Sequence, residues 1–249
     1  MKRRPPQPVS AVDEDNPYWL SFSDLMSALV VIFLLASVVL IIDLIQTRQA
    51  IQSDIQQLRH AQHMRRAVIR EVHDELALHN ILVEAVDNDT VLRIPEKTLA
   101  FASNSYTIPG QTKTRHAVTA IGLALHRALN RPADDKSGRS RRYYLDTIFI
   151  EGHTDSQPST REKGNWGLSS FRAISLWEFW QNNLHVSPRL DELTNASRQK
   201  LFSISGYAAS RPLAANERNE RQRQRNRRID LRFTVKRPAV TELENLLPP

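Results

Sequence analysis

The densest apolar run lies near the start of the chain: from Leu25 to Ile42, eighteen consecutive residues, LMSALVVIFLLASVVLII, carry no charge. At about 1.5 Å of rise per residue, this run and its flanks from Tyr18 to Ile45 reach roughly the 30 Å of a bilayer's hydrocarbon core. Pro17 suits a first helical position, and Tyr18 and Trp19 suit a membrane interface. The pattern predicts one transmembrane helix over residues 17–45, preceded by a short cytoplasmic leader, 1–16. A cleaved signal peptide, with Lys2, Arg3 and Arg4 as its basic region, fits less well because the run is too long and lacks a small-residue cleavage site. The leader is too short to fold, which places the bulk of the chain on the far side of the span.

From Gln46 to about Asn80 the sequence is polar and helix-favouring, with no Pro or Gly. Ile51, Ile55, Leu58, Ala61, Met64, Val68, Val72 and Leu76 draw a single stripe at intervals of three and four. Such a stripe pairs with a second copy, giving a dimeric helical stalk over 46–86, or packs on the chain's own domain. From 87 to 236 strands and helices alternate. Thr90 to Ile94 reads as a strand ended by Pro95, Ala117 to Leu129 as a helix, Tyr143 to Glu151 as a strand, and Leu168 to Leu184 as a helix. Leu201 to Ser205 is a short strand, and in the last one Ile229, Leu231, Phe233 and Val235 face one way. This βαβαββ order predicts an α/β sandwich with helices on one face of a mixed sheet. Residues 132–142 read as an exposed loop and 237–249 as a tail.

Composition sharpens the picture. The 249 residues include no cysteine, which removes disulfide scaffolds, thiolate metal sites and thiol catalysis. Of the formal net charge of +7, all lies between residues 211 and 237, where ten Lys/Arg face three acids. A nucleic-acid patch is the first reading of such a run. Its position, just before the last strand of a domain beyond the membrane, favours acidic wall groups or a solvated face instead.

Two places carry candidate chemistry. Asp24, in WLSFSDLMSALVVIF, stands at the head of the apolar run. A carboxylate there suits a proton relay, or caps the helix at headgroup level. Asp43, at the other end, reads as an interfacial residue. In the domain, Glu151-Gly152-His153-Thr154-Asp155 leaves a strand for a loop, and Asn165 to Ala173 enters a helix. Asp155 and Arg172 can then flank one pocket for a zwitterion, or pair with each other and close the loop. His60, His63, His73 and His79 show no metal-ligand spacing.

Ser23-Asp24-Leu25-Met26-Ser27 leading into an apolar helix resembles the single span of MotB-type stator subunits. The order GHTD, then N-x-x-LS-x-x-RA, then Gly206 to Pro212, then Asn226-Arg227-Arg228-Ile229 is similar to OmpA-like peptidoglycan-binding domains over roughly Thr90 to Val235. The resemblance implies a homodimer in the bacterial inner membrane, N-terminus cytoplasmic and domain periplasmic, working with a MotA/ZorA-like polytopic partner. It implies that Asp24 binds the translocated proton, and that Asp155 and Arg172 hold the diaminopimelate of the peptidoglycan stem peptide. Asn165, Leu168 and Arg228 would line the same pocket, and His153 would serve packing. Within the family the SFSDLMS segment, the stalk and the basic C-terminus look most like the ZorB subunit of Zorya anti-phage defence. A flagellar MotB-type stator and a purely structural wall anchor are the alternatives. No enzymatic activity, cofactor, metal or nucleic-acid partner is expected.

Overall fold

The computed structural model describes residues 17–236, so the expected leader (1–16) and tail (237–249) lie outside the described residues. Two compact units are distinguished, Met1–Ile55 and Gln56–Pro249. In the first, the described residues form the N-terminal part of helix α1 (Pro17–Leu78), whose most apolar 18-residue window has a mean hydropathy of 3.1. Leu25 to Ile45 expose nearly every large apolar side chain, including Leu40 at 69% and Phe33 at 68%. In water that would be prohibitive, whereas lipid tails are the solvent such a surface suits. Among the described residues this is the one helix long and apolar enough to cross a membrane.

The second unit holds a five-stranded sheet. Its strands are β1 (Glu84–Val86), β2 (Val91–Pro95), β3 (Leu145–His153), β4 (Phe202–Gly206) and β5 (Arg228–Val235), in the order β1-β2-β5-β3-β4. Only β3 and β4 run parallel, joined through helix α3 (Gly164–Asn183); the other neighbours are antiparallel. The last strand therefore lies in the middle, with Leu231 opposite Leu92 on one side and Ile150 on the other. Side chains alternate across a strand. Ile229, Leu231 and Phe233 join the core with Ile121 and Leu125 of helix α2 (Thr112–Asn130) and Leu176 and Trp180 of α3. Pro132 explains where α2 stops, since the preceding Arg131 is already extended at φ −60°, ψ 138°. The buried Trp180 indole donates to the Val118 carbonyl at 2.8 Å, tying α3 to α2.

The periodic elements thus lie where the pattern placed them, with two additions and one correction. Strand β1 and the short helix α4 (Glu220–Asn226) were not expected. The correction concerns the stalk, 46–86. Its apolar stripe divides: Ile51 and Ile55 are exposed at 49% and 44%, whereas Met64, Val68, Val72 and Leu76 are wholly buried. Val68, Ile69, Val72 and Leu76 belong to the same core as the sheet. Ion pairs follow the same segment: Glu71 holds Arg141 at 2.6 Å and Arg131 at 3.0 Å, and Arg70 holds Asp89 at 2.8 Å. The packed domain therefore takes in Ala61 to Leu76 and β1, ahead of the expected boundary at residue 87. An apolar stripe specifies a buried face but not what buries it.

Candidate functional site

The site forms where β3, α3 and β5 meet. Gly152 and Gly206 pair across β3 and β4, and the start of α3 presses against both. A Cβ at Gly152 would stand 2.0 Å from the Ser169 carbonyl oxygen, so only glycine admits this approach. The contact fixes the loop after β3, with Asp155, next to the first turns of α3, with Asn165, Leu168 and Arg172.

These four residues line one cleft of about 430 Å³, together with Thr154, Glu96, Glu220, Arg223 and Arg227. Its charged lining comprises three acids, Glu96, Asp155 and Glu220, and three arginines, Arg172, Arg223 and Arg227. A lining with equal numbers of both signs suits a zwitterion better than an ion of one sign.

Asp155 and Arg172 do not pair with each other. Arg172 is 5% exposed; its Nε donates to the Ser105 carbonyl at 2.9 Å and Nη2 to that of Ala102 at 3.3 Å, and the guanidinium lies over Phe101. It makes no ion pair with any described residue. Burial brings it down to about 10, opposed by the more distant charges of Asp155 and Glu96, so it stays cationic at neutral pH. A buried cation without a counter-ion is costly unless something supplies one. Two further polar atoms in the cleft wall are buried without a partner, Thr154 Oγ1 and Asn165 Oδ1. The Asn165 amide donates to the carbonyls of Gln157 at 2.9 Å and Asp155 at 3.3 Å, which leaves its oxygen for a ligand donor.

Asp155 is held instead by Arg227, at 2.5 Å. Arg227 also bonds Glu96 and Glu220. Burial opposes its charge, but these hydrogen bonds to Glu96, Glu220 and Asp155 prevail and raise its pKa.

Arg228 departs from expectation. It does not line the 430 Å³ cleft; its neighbour Arg227 does. Arg228 is 7% exposed and its Nε meets Asp230 at 2.9 Å, while Nη2 and Nη1 donate to the carbonyls of Arg211 and Asn226. Strand parity explains the difference: with 229, 231 and 233 turned to the core, 228 shares the opposite face with Asp230 and Arg232. That face carries a ladder of ion pairs, Arg93 with Asp230 at 2.9 Å and Arg232 with Glu151 at 2.9 Å. His153 is buried in it and stacked on Tyr207 at 5.4 Å, with no hydrogen bond to either ring nitrogen. Desolvation, then the Arg228 charge, pushes it down to about 3, so it is neutral. Glu151, His153 and Asp230 converge within 4.8 Å, yet the arginines already engage both carboxylates. The cluster reads as structural.

Asp24 lies in the first unit, exposed and seven residues after the start of α1. The macrodipole acts within the first turn, so two turns in, Asp24 is not a helix cap. Beside it Ser27 Oγ donates to the Ser23 carbonyl at 2.8 Å, and Trp19 stacks on Phe22 at 6.1 Å. Arg223, Arg227, Glu96 and Glu220 are the charged cleft residues that sequence reasoning missed. For Arg227 the parity of β5 was an available signal; Glu96 and Glu220 sit where no period runs.

Comparison with known proteins follows this geometry. A family model described as the OmpA family matches residues 100–227. Motility protein B of Bacillus subtilis (strain 168) is 33% identical over 96 residues, 38% of this chain; the match spans only 32% of that protein's length. Among solved structures, a MotB like protein from Desulfovibrio vulgaris superposes with a TM-score of 0.51 at 19% identity, covering 72% of this chain and 99% of that one. The periplasmic domain of Helicobacter pylori MotB gives 0.45 at 18% identity, covering 66% of this chain and 87% of that one. The Desulfovibrio match shows a shared fold.

Proposed function

Since this chain belongs to the OmpA family, we propose that it is the wall-anchored, proton-conducting subunit of a membrane motor. In this reading it crosses the bacterial inner membrane once, with the N-terminus cytoplasmic and the domain periplasmic. It acts as a homodimer with a MotA/ZorA-like polytopic partner, binding peptidoglycan through the cleft and carrying protons at Asp24. Its role is binding and conduction, with no catalytic step.

The observation that carries the binding half is Arg172, a buried cation lacking a counter-ion in a cleft whose far wall offers Asp155. Free diaminopimelate ends in an ammonium and a carboxylate on one carbon. The carboxylate suits the Arg172 guanidinium bidentately, and the ammonium suits Asp155 and the free Asn165 oxygen. Leu168 supplies an apolar wall for the methylene chain. Arg172→Ala and Asp155→Ala in the full chain should each abolish co-sedimentation with purified sacculi; retention of wild-type binding by both would overturn this half.

The motor half rests on Asp24 in the SDLMS segment, two turns inside α1. Asp24→Asn should leave wall binding and assembly intact while abolishing ion-dependent function; a purely structural anchor would be indifferent to it. Within the motors, the SFSDLMS segment and the basic C-terminus support a Zorya-type, ZorB-like role in anti-phage defence. The similarity to Motility protein B supports a flagellar stator as the second reading. Deleting the gene separates them: the first predicts more phage plaques with normal swimming, the second the reverse.

A further inference from the structure

The basic stretch divides once its partners are known. Arg223, Arg227, Arg228 and Arg232 are spent on ion pairs inside the domain. Arg221 and Arg225 are exposed and make no hydrogen bond or ion pair with any described residue, and the same holds for Lys97, just after β2. These three cations line a second cleft, of about 340 Å³. Its apolar lining is Leu82, Pro95 and Leu213, the leucines 48% and 37% exposed. Glu84 is the one lining carboxylate without an ion pair to any described residue, since Glu96 is tied to Arg227.

Helix α4 is the wall between the two clefts. Glu220 and Arg223, with Arg227 just beyond the helix, face the first; Arg221, Gln224 and Arg225 face the second, and Glu96 lines both. An extended ligand can therefore pass from one to the other along Glu96. Unpaired cations call for carboxylate or phosphate, and exposed leucine and proline call for small apolar groups. A peptide of acidic and alanine-like residues supplies both; an uncharged glycan supplies neither.

We propose that this second cleft is a subsite for a carboxylate-bearing stem peptide of the wall polymer, neighbouring the one held at Asp155 and Arg172. This rests on the peptidoglycan-binding reading above. The test uses full-length protein in detergent carrying Lys97→Gln, Arg221→Gln and Arg225→Gln together. Its affinity for purified sacculi at low salt should fall about tenfold, as expected for three surface charges, and its salt dependence should flatten. Affinity for free meso-diaminopimelate, which reaches only the first cleft, should not change. Wild-type sacculus affinity and salt slope in the triple variant would overturn the proposal, as would a parallel loss of diaminopimelate binding. A loss confined to vesicles of phosphatidylglycerol would overturn it too, by assigning the cleft to lipid. Wild-type sacculus binding by Arg172→Ala would instead remove the premise, a result read independently of the triple variant.

Discussion

Arg172 and Arg228 are buried to nearly the same degree, 5% and 7% exposed, and in both burial lowers the pKa. Their surroundings differ. Arg228 has a carboxylate at 2.9 Å within a ladder of ion pairs that Asp230 shares with Arg93. Arg172 has two backbone carbonyls and an aromatic face, but no carboxylate. One cation completes the fold. The other is held in place and left unneutralised, which is the condition for binding an anion strongly, because the desolvation cost is met before the ligand arrives.

The largest effects should come from separating these roles. Arg228→Ala takes away one of the two arginines that hold Asp230, leaving Arg93 as the other, and should cost about 2–3 kcal/mol of stability, read as a fall in the urea midpoint. Arg172→Ala should leave that midpoint within about 1 kcal/mol of wild type yet weaken sacculus binding by about 30-fold or more. If Arg172→Ala unfolds the domain instead, the contrast collapses.

Gly152→Ala tests the geometry joining the two regions. Its methyl meets the Ser169 backbone, so α3 must move, at about 1–3 kcal/mol, and diaminopimelate binding should weaken more than the unfolding midpoint falls.

His153 gives a smaller, pH-dependent effect. Its folded pKa, about 3, lies below its ordinary 6.5, so below pH 6.5 the unfolded chain binds the extra proton. The stability it confers is complete above that pH and is lost as pH falls towards 3, at about 1 kcal/mol per unit below pH 6. His153→Phe, which keeps the stacking on Tyr207, should flatten this part of a urea-midpoint profile measured between pH 7.5 and 5. The smallest expected effect is on the exposed end of the α1 stripe: Ile51→Ser with Ile55→Ser should change domain stability by under about 0.5 kcal/mol. In the homodimeric reading proposed above, the pair should nevertheless reduce self-association in analytical ultracentrifugation.

The same contrast shows what the sequence could convey. Elements with an unbroken period were legible: Ile229, Leu231 and Phe233 announce β5, and Ala117 to Leu129 announce α2. β1 was not, because three residues cannot display an alternation. α4, ERQRQRN, has no apolar position at all; its signal was the cap, with the Asn219 side chain accepting from the Gln222 N–H at 3.0 Å. In the site, Asp155, Asn165, Leu168 and Arg172 were legible because they belong to two motifs adjoining periodic elements. Which of the adjacent Arg227 and Arg228 turns outward depends on strand parity. That Asp155 pairs with Arg227, leaving Arg172 alone, depends on a contact across 72 positions of sequence, which no local pattern encodes.

The packing of α1 into the domain core has a mechanical consequence. A pull along the helix axis does not reach the domain through a single peptide link. It loads the contacts of Met64, Val68, Ile69, Val72 and Leu76, each stabilising by about 2 kcal/mol, together with the ion pairs of Arg70 and Glu71. Those contacts lie side by side along four turns, so they share the load in shear instead of peeling one at a time. Over Ala61 to Leu76 the chain is a splice, so a pull on this part of the helix is met by the whole packed face at once.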